Sequence, residues 1–276
     1  MSFITLAREL GSISAEQVIQ LSSSLGMDCI GKDFVEKRFD EIGVTHESLR
    51  EYDEKKLGFF ARLFRGEPDH YLETLRIILF YEVQQGRKLI VGRGGNFIFA
   101  DTPNCLRIRL TASPDVRIRN IMDWEGCTES KARSMMEESD RNRAGFCIFH
   151  FNEDWYSARN YDVVVKTDGL SNERLFFFLK SALKAIMTPE REKQGQKILN
   201  DRILSRTISL RIWVDECLPV RFLVVECDDG KAVLKGLAIS QAVSERAEKI
   251  TRDVEGVVSV DNQLKIMTHP LPRRIV

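Results

Sequence analysis

The sequence predicts an α/β protein: a doubly wound parallel sheet over most of the chain, followed by a smaller α+β unit. Three observations carry this. Short apolar stretches alternate with longer amphipathic ones across residues 3–187. The first of them is followed by a small-residue turn and a helical pattern, the order in which a phosphate-binding loop is built. Beyond residue 201 the pattern changes to strand, Asp-Gly turn, strand, helix, strand.

The opening unit covers residues 3–26. Phe3, Ile4 and Leu6 are apolar enough for a short buried strand, and Gly11 and Ser12 make a turn. Ala15, Val18, Ile19 and Leu21 recur at helical spacing, with Ser14 placed to cap the helix and Gly26 to end it. The complete P-loop pattern also requires a second glycine, a lysine and a Ser or Thr. Here Gly11 is followed by Ser12, Ile13, Ser14, Ala15 and Glu16. The architecture is present and the usual chemistry is partly absent.

The 276 residues suggest one large domain or two smaller ones, and 43% hydrophobic content is enough to fill a core. Lys+Arg and Asp+Glu both number 41, a zero net charge that argues against broad nucleic-acid binding and leaves room for a local basic cleft. No basic stretch followed by a long apolar run marks a signal peptide, and no apolar run approaches the length of a membrane span. Cys29, Cys105, Cys127, Cys147, Cys217 and Cys227 are scattered without metal-type pairs. They are expected to be reduced thiols in a cytoplasmic protein. The four histidines are isolated, so no zinc site is expected.

Residues 28–42 read as a helix with Phe34, Val35, Phe39 and Ile42 on its apolar face. Gly43 breaks it and Thr45 starts another. Residues 57–64, LGFFARLF, suit a core helix or a flap over a ligand, and Gly66, Glu67 and Pro68 a turn. Residues 69–85 form a helix with Leu72, Leu75, Ile78, Leu79 and Val83 inward. Leu89, Ile90 and Val91 are a continuous apolar strand, as in a parallel sheet covered on both faces. Gly92, Arg93, Gly94 and Gly95 follow at its carboxyl end, where open α/β sheets bind ligands. An arginine between glycines there can grip a phosphate with its fork, or pair with a surface carboxylate.

Residues 106–110 form the next strand, and Ser113 and Pro114 open a helix. Gly126 interrupts it, Thr128 restarts it, and it runs to Arg143. Asp140, Arg141 and Arg143 near its end suit either a solvated face or a lid that folds arginines over a transferring phosphate. The aromatic residues of 146–156 suit lid packing or base stacking. Residues 161–167 are a parallel-type strand, Asp168 and Gly169 turn, and Ser171 starts a helix ending near Met187. The polar segment 188–201 reads as a linker that becomes helical. Strands at 221–227 and 232–237 join through Asp228, Asp229 and Gly230, then come a helix at 240–254 and a strand at 257–267.

On these residues the first part resembles the cytidylate kinase-like branch of the P-loop nucleoside monophosphate kinases. The resemblance spans residues 3–187. It rests on Arg8, Glu9, Gly11 and Ser12, on GKDFVEK…THESLREYDEK, on IVGRGGNFIF, LTASPDVRIRNIM and DRNRAGF, and on Asp154-Trp155 with YDVVVKTD. The final part resembles a BON domain, a small αββαβ module, through its Asp-Gly turn, AVLKG and VEGVVSVDNQLKI. The expected organisation is a kinase-like domain with a P-loop NTPase-like sheet and helical lid at 1–187, a linker at 188–202, a BON-like domain at 203–268 and a tail at 269–276.

The resemblance implies phosphoryl transfer from ATP to a nucleoside monophosphate, with Mg2+. It places Gly11, Ser12 and Ser14 in the donor phosphate loop, and Gly92, Arg93 and Gly94 at the acceptor phosphate. Arg141 and Arg143 would be lid arginines that neutralise transition-state charge. Arg8 would stand in for the missing cation, and Asp140 would orient the lid or help through water to hold the metal. The BON domain implies a protein or membrane-surface partner. Relatives keep a glycine-rich loop, often with a basic residue where this chain has Ser14 to Glu16. Ile13 and Ala15 are expected to crowd the turn, and Glu16 to place negative charge near phosphate. Loss of one preorganised donor costs about 10²–10³ in rate. The alternative is an inactive kinase-derived sensor or scaffold acting through its BON domain.

Overall fold

The computed structural model describes residues 1–41 and 70–267. The helix expected from Thr45, the apolar stretch 57–64, the Gly66–Pro68 turn and the tail 269–276 lie outside those residues. The chain divides into two compact units, Met1–Gly195 and Gln196–Val276.

The first unit is organised on a five-stranded sheet in which β1 (Phe3–Arg8) is central. The order is β2 (Asp28–Ile30), β3 (Lys88–Val91), β1, β4 (Cys105–Thr111), β5 (Val163–Lys166), and every pairing is parallel. Ile4 pairs with both Leu89 and Leu106. All three are fully buried, in keeping with the apolar run Leu89–Val91 of β3 and the largely apolar β1. On one face α1 (Ala15–Leu25) and α7 (Asn172–Ile186) pack together, and Val18, Leu21, Leu175 and Leu179 close over Ile4 and Leu6.

Helix α1 begins as the sequence predicts. Ser14 caps it by accepting from the Gln17 amide while the Gln17 side chain accepts from the Ser14 amide, and Gly26 ends it at φ 60°. The helix expected from Asp28 differs. Asp28–Ile30 is strand β2, and α2 (Lys32–Glu41) starts after Gly31. Three residues of which only Ile30 is buried leave no periodic signal to read.

Helix α3 (His70–Gln85) precedes β3, and a short turn of helix, α4 (Gly95–Ile98), follows it. After β4 come α5 (Pro114–Glu125) and the 23-residue α6 (Glu129–Phe151), separated by Gly126. The aromatic residues Phe146 to Phe151 complete α6, and Asn152 caps it in the left-handed conformation. The polar segment expected as a linker is helical almost throughout, within α8 (Pro189–Leu210).

In the second unit the end of α8 leads to an antiparallel pair, β6 (Val220–Asp228) and β7 (Lys231–Ala238). Helix α9 (Gln241–Arg252) then brings β8 (Ser259–Ile266) parallel to β7. Its core is Ile208, Ile212, Leu223, Leu234, Ala247 and Ile250. Asp229 and Gly230 both take positive φ in the hairpin turn, and a Cβ on Gly230 would lie 2.6 Å from the Gly256 carbonyl oxygen. No helix among the described residues is long and apolar enough to cross a membrane.

Candidate active site

The carboxyl ends of β1 and β3 carry the two turns that the sequence singled out. In the first, residues 9–14, side chains of several elements fix the carbonyls. Arg117 Nε donates to Leu10 O at 2.7 Å and Asn120 Nδ2 to Gly11 O at 2.8 Å, both from α5. Thr167 Oγ1 donates to Ser12 O and Arg8 Nη1 to Ile13 O. A trans peptide places its N–H opposite its C=O, so anchoring Leu10 O and Ser12 O turns the amides of Gly11 and Ile13 the other way. Among the described residues neither amide has a hydrogen-bond partner. Gly11 sits at φ 91° with its Cα against the Arg117 backbone, where a Cβ would lie 2.6 Å from Arg117 O. Glycine is therefore required here for the close approach as well as for the dihedral.

Ile13 and Ala15 do not crowd this turn, Ala15 being exposed at the start of α1. Ile13 is 1% exposed and belongs to the core beneath the sheet, and Glu16 points to solvent. Ser12 is buried, with its hydroxyl donating to Glu9 O, and Ser14 serves as the helix cap.

In the second turn Gly92, Arg93 and Gly94 are consecutive left-handed residues at φ 70°, 55° and 64°. For arginine this conformation costs roughly 1–2 kcal/mol. The backbone holds it: the Gly92 amide donates to Leu6 O, and Gly95 closes back on Gly92 O. The Phe151 ring lies over Gly94 and stacks on Phe97 at 5.0 Å. An over-determined strained arginine at a strand's carboxyl end fits a ligand-gripping role.

Beside the second turn lies a cavity of about 590 Å³, reached from β1 by Ala7 and Arg8 and from α1 by Ala15; Gly11, Ser12 and Ser14 of the first turn are not part of its wall. Arg8, Arg93, Arg143 and Lys32 bring positive charge to its wall, Phe34, Phe146 and Trp155 aromatic surface, and Asp33 a carboxylate. Burial and then the charge of Arg143 hold the Arg8 guanidinium below its ordinary pKa. A guanidinium held down by burial and by a second cation beside it favours an anionic ligand. Asn96 also lines the cavity, and its buried Nδ2 lacks a hydrogen-bond partner.

The structure thus brings Arg8, Gly92, Arg93, Gly94 and Arg143 to one cavity. It leaves Arg141 outside: that side chain is 70% exposed and, among the described residues, pairs with Glu137, one turn earlier. Residues two apart on an α-helix point about 200° from one another, so Arg141 and Arg143 cannot share a cavity. Asp140 is not at the cavity wall either; both its oxygens accept from Arg117 at 2.7 and 2.8 Å.

Sequence reasoning missed the supports. Arg109 and Arg117 are 4% and 5% exposed and flank Glu9. Arg109 Nη2 donates to Glu9 Oε1 at 2.8 Å, its Nη1 to the Trp155 carbonyl, and its guanidinium lies 4.6 Å over the Trp155 ring. The signal was available in LRIRL, where Arg109 falls among buried apolar neighbours of a covered strand. A charge there requires a buried partner.

Magnesium in such sites is held largely by substrate phosphates and water, with one or two carboxylates. Asp33 is a carboxylate on the cavity wall suited to that, whereas Asp140 is committed to Arg117. Among the described residues the cluster of three acids is Asp201, Asp228 and Asp229 in the second unit, and Lys197 already pairs with all three.

Comparison with known proteins agrees with this fold. The model of the cytidylate kinase-like family matches residues 3–169, and that of the BON domain residues 207–268. A cytidylate kinase from Methanocorpusculum labreanum is 23% identical over 172 residues, which is 61% of this chain and 96% of that protein. Osmotically-inducible protein Y of Escherichia coli K12 is 42% identical over 65 residues, covering 24% of this chain and 32% of that protein. Among solved structures, an uncharacterized protein from Eubacterium ventriosum superimposes with a TM-score of 0.54 at 18% identity, over 67% of this chain and 98% of that one.

Proposed function

The chain belongs to the cytidylate kinase-like family and carries a BON domain at its end, and from that premise we propose that it transfers a phosphoryl group from ATP to a nucleoside monophosphate. The observation that carries the reading is the convergence of Arg8, Arg93 and Arg143 on one cavity beside two backbone turns. Phosphoryl transfer is catalysed mainly by positioning and charge stabilisation, which are what these groups supply. Arg93 grips the acceptor's phosphate. Arg143, from the lid helix, faces the charge that develops between acceptor and donor. Arg8 takes the place of the absent lysine, and the amides of Gly11 and Ile13 meet the donor phosphates. Magnesium, when bound, neutralises phosphate charge; Asp33 is the residue able to meet it. A cytoplasmic location goes with an ATP-dependent reaction, and the BON domain supplies a protein or membrane-surface partner.

A second reading has its own observation. The turn lacks a lysine, and the capping box occupies the Ser14 and Gln17 amides that a bound phosphate would otherwise use. A chain that binds nucleotide without turnover would be a sensor acting through its BON domain. Coupled ADP release with CMP, dCMP and UMP separates the two. Turnover lost in Arg93→Ala supports the kinase; turnover no greater than that of Arg93→Ala leaves the sensor.

A further inference from the structure

The supports of the cavity form a closed circuit. Arg143 lies 5.8 Å over the Trp155 ring. Trp155 receives Arg109 on its face and on its carbonyl. Arg109 bonds Glu9, the first residue of the phosphate turn. Glu9 Oε2 lies 3.6 Å from Arg117, and Arg117 makes a two-pronged pair with Asp140. Asp140 is on α6, about one turn before Arg143, which returns the circuit to its start. Within it Arg109 and Arg117 face Glu9 and Asp140, so those four charges balance.

Arg117 is the junction of this circuit. Its Nε holds Leu10 O and its two terminal nitrogens hold Asp140. One planar guanidinium therefore fixes both a carbonyl of the phosphate turn and the helix that carries Arg143. Five donors in a rigid fork can do this; an ammonium cannot. We propose that Arg117 and Asp140 are positioning residues that lock the lid helix to the phosphate turn, so that Arg143 reaches the cavity only while the turn is in its binding conformation. The inference rests on the phosphotransfer reading for its kinetic consequence but not for the linkage itself.

The test uses the full chain as wild type, Arg117→Lys, Asp140→Asn and the double variant. Amide hydrogen exchange is followed in residues 9–17 and 137–147. Each single variant is expected to lose about tenfold in protection in both segments together, and the double variant no more than either single, because all three break one link. In coupled ADP release, kcat falls about ten- to a hundredfold while the acceptor KM stays within about twofold, the signature of a misplaced group rather than lost binding. Loosening confined to 137–147, or additive losses in the double variant, would overturn the linkage. A KM that rises in step with a falling kcat would overturn the positioning role. Should Arg117→Lys fail to fold, the near-isosteric Asp140→Asn decides alone. A wild-type chain without turnover removes the phosphotransfer reading, and exchange then decides the linkage by itself.

Discussion

The two turns at the carboxyl ends of β1 and β3 solve one problem in opposite ways. In residues 9–14 the useful groups are backbone amides, and side chains from α5, β1 and the segment after β5 hold the carbonyls away from them. In residues 92–95 the useful group is the Arg93 side chain, and the backbone holds it through consecutive left-handed residues under the Phe151 ring. The first turn needs one glycine because its shape is imposed from outside. The second needs several because its shape is its own. The poor match of the first turn to a glycine-rich loop is then a difference in how the turn is supported.

The largest expected effects bear on the groups that each turn presents. Arg93→Ala and Arg143→Ala should each lower kcat/KM for phosphotransfer by about 10²–10³, roughly 3–4 kcal/mol. Arg141→Ala, on the far face of the same helix, should stay within about twofold. Steady-state kinetics on the three variants checks this, and equal losses at 141 and 143 would erase the distinction.

Stability sharpens the contrast next. A Cβ at Gly11 would meet the Arg117 backbone at 2.6 Å, and one at Gly94 the Phe151 ring at 2.3 Å, both at positive φ. Gly11→Ala and Gly94→Ala should each cost about 3 kcal/mol from overpacking and dihedral strain combined. Gly92 has the same dihedral strain with nothing within 4 Å among the described residues. Gly92→Ala should therefore cost only about 1 kcal/mol, read as a smaller shift in urea midpoint at constant slope.

Much of this was legible in the sequence. The parallel strands show as largely apolar stretches, and Ser14, Gly26 and Gly126 sit where helices start and stop, whereas the helix expected to end at Arg143 runs on to Phe151. Arg93 announces itself by its flanking glycines. Other features have no local signature. β2 is too short for a period, and the aromatic residues of 146–151 continue a helix whose register the sequence leaves open. Ile13 looks like an obstacle in the turn because its neighbours are polar, yet its side chain turns into the core. The Glu9–Arg109–Arg117–Asp140 chain joins residues more than a hundred positions apart, and only the fold brings them together.

The smallest effect is a control at the other end of the sheet. Arg107 makes a bidentate pair with Asp162 before β5. Burial raises the Asp162 pKa, but the hydrogen bonds and charge of Arg107 outweigh it and leave the carboxyl below its ordinary value. A carboxyl depressed in the folded state adds stability that is present above the unfolded pKa, about 3.9, and is lost as pH falls through the folded value. Asp162→Asn should thus cost about 1 kcal/mol at neutral pH. The difference from wild type should shrink in acid, with nucleotide binding unchanged. Urea titrations at pH 7 and below pH 4 read the trend.

The central claim is that the cavity beside the Arg93 turn takes a nucleotide's phosphate through Arg93, with Arg143 facing the charge that moves. Calorimetric titration of CMP into the full chain, beside Arg93→Ala and Arg143→Ala, tests it most directly. The account predicts saturable binding by wild type that weakens at least about tenfold in Arg93→Ala, in line with the loss of a charge-assisted hydrogen bond, and stays within about twofold in Arg143→Ala, whose group acts on the transferring charge. CMP binding that survives Arg93→Ala unchanged would contradict it.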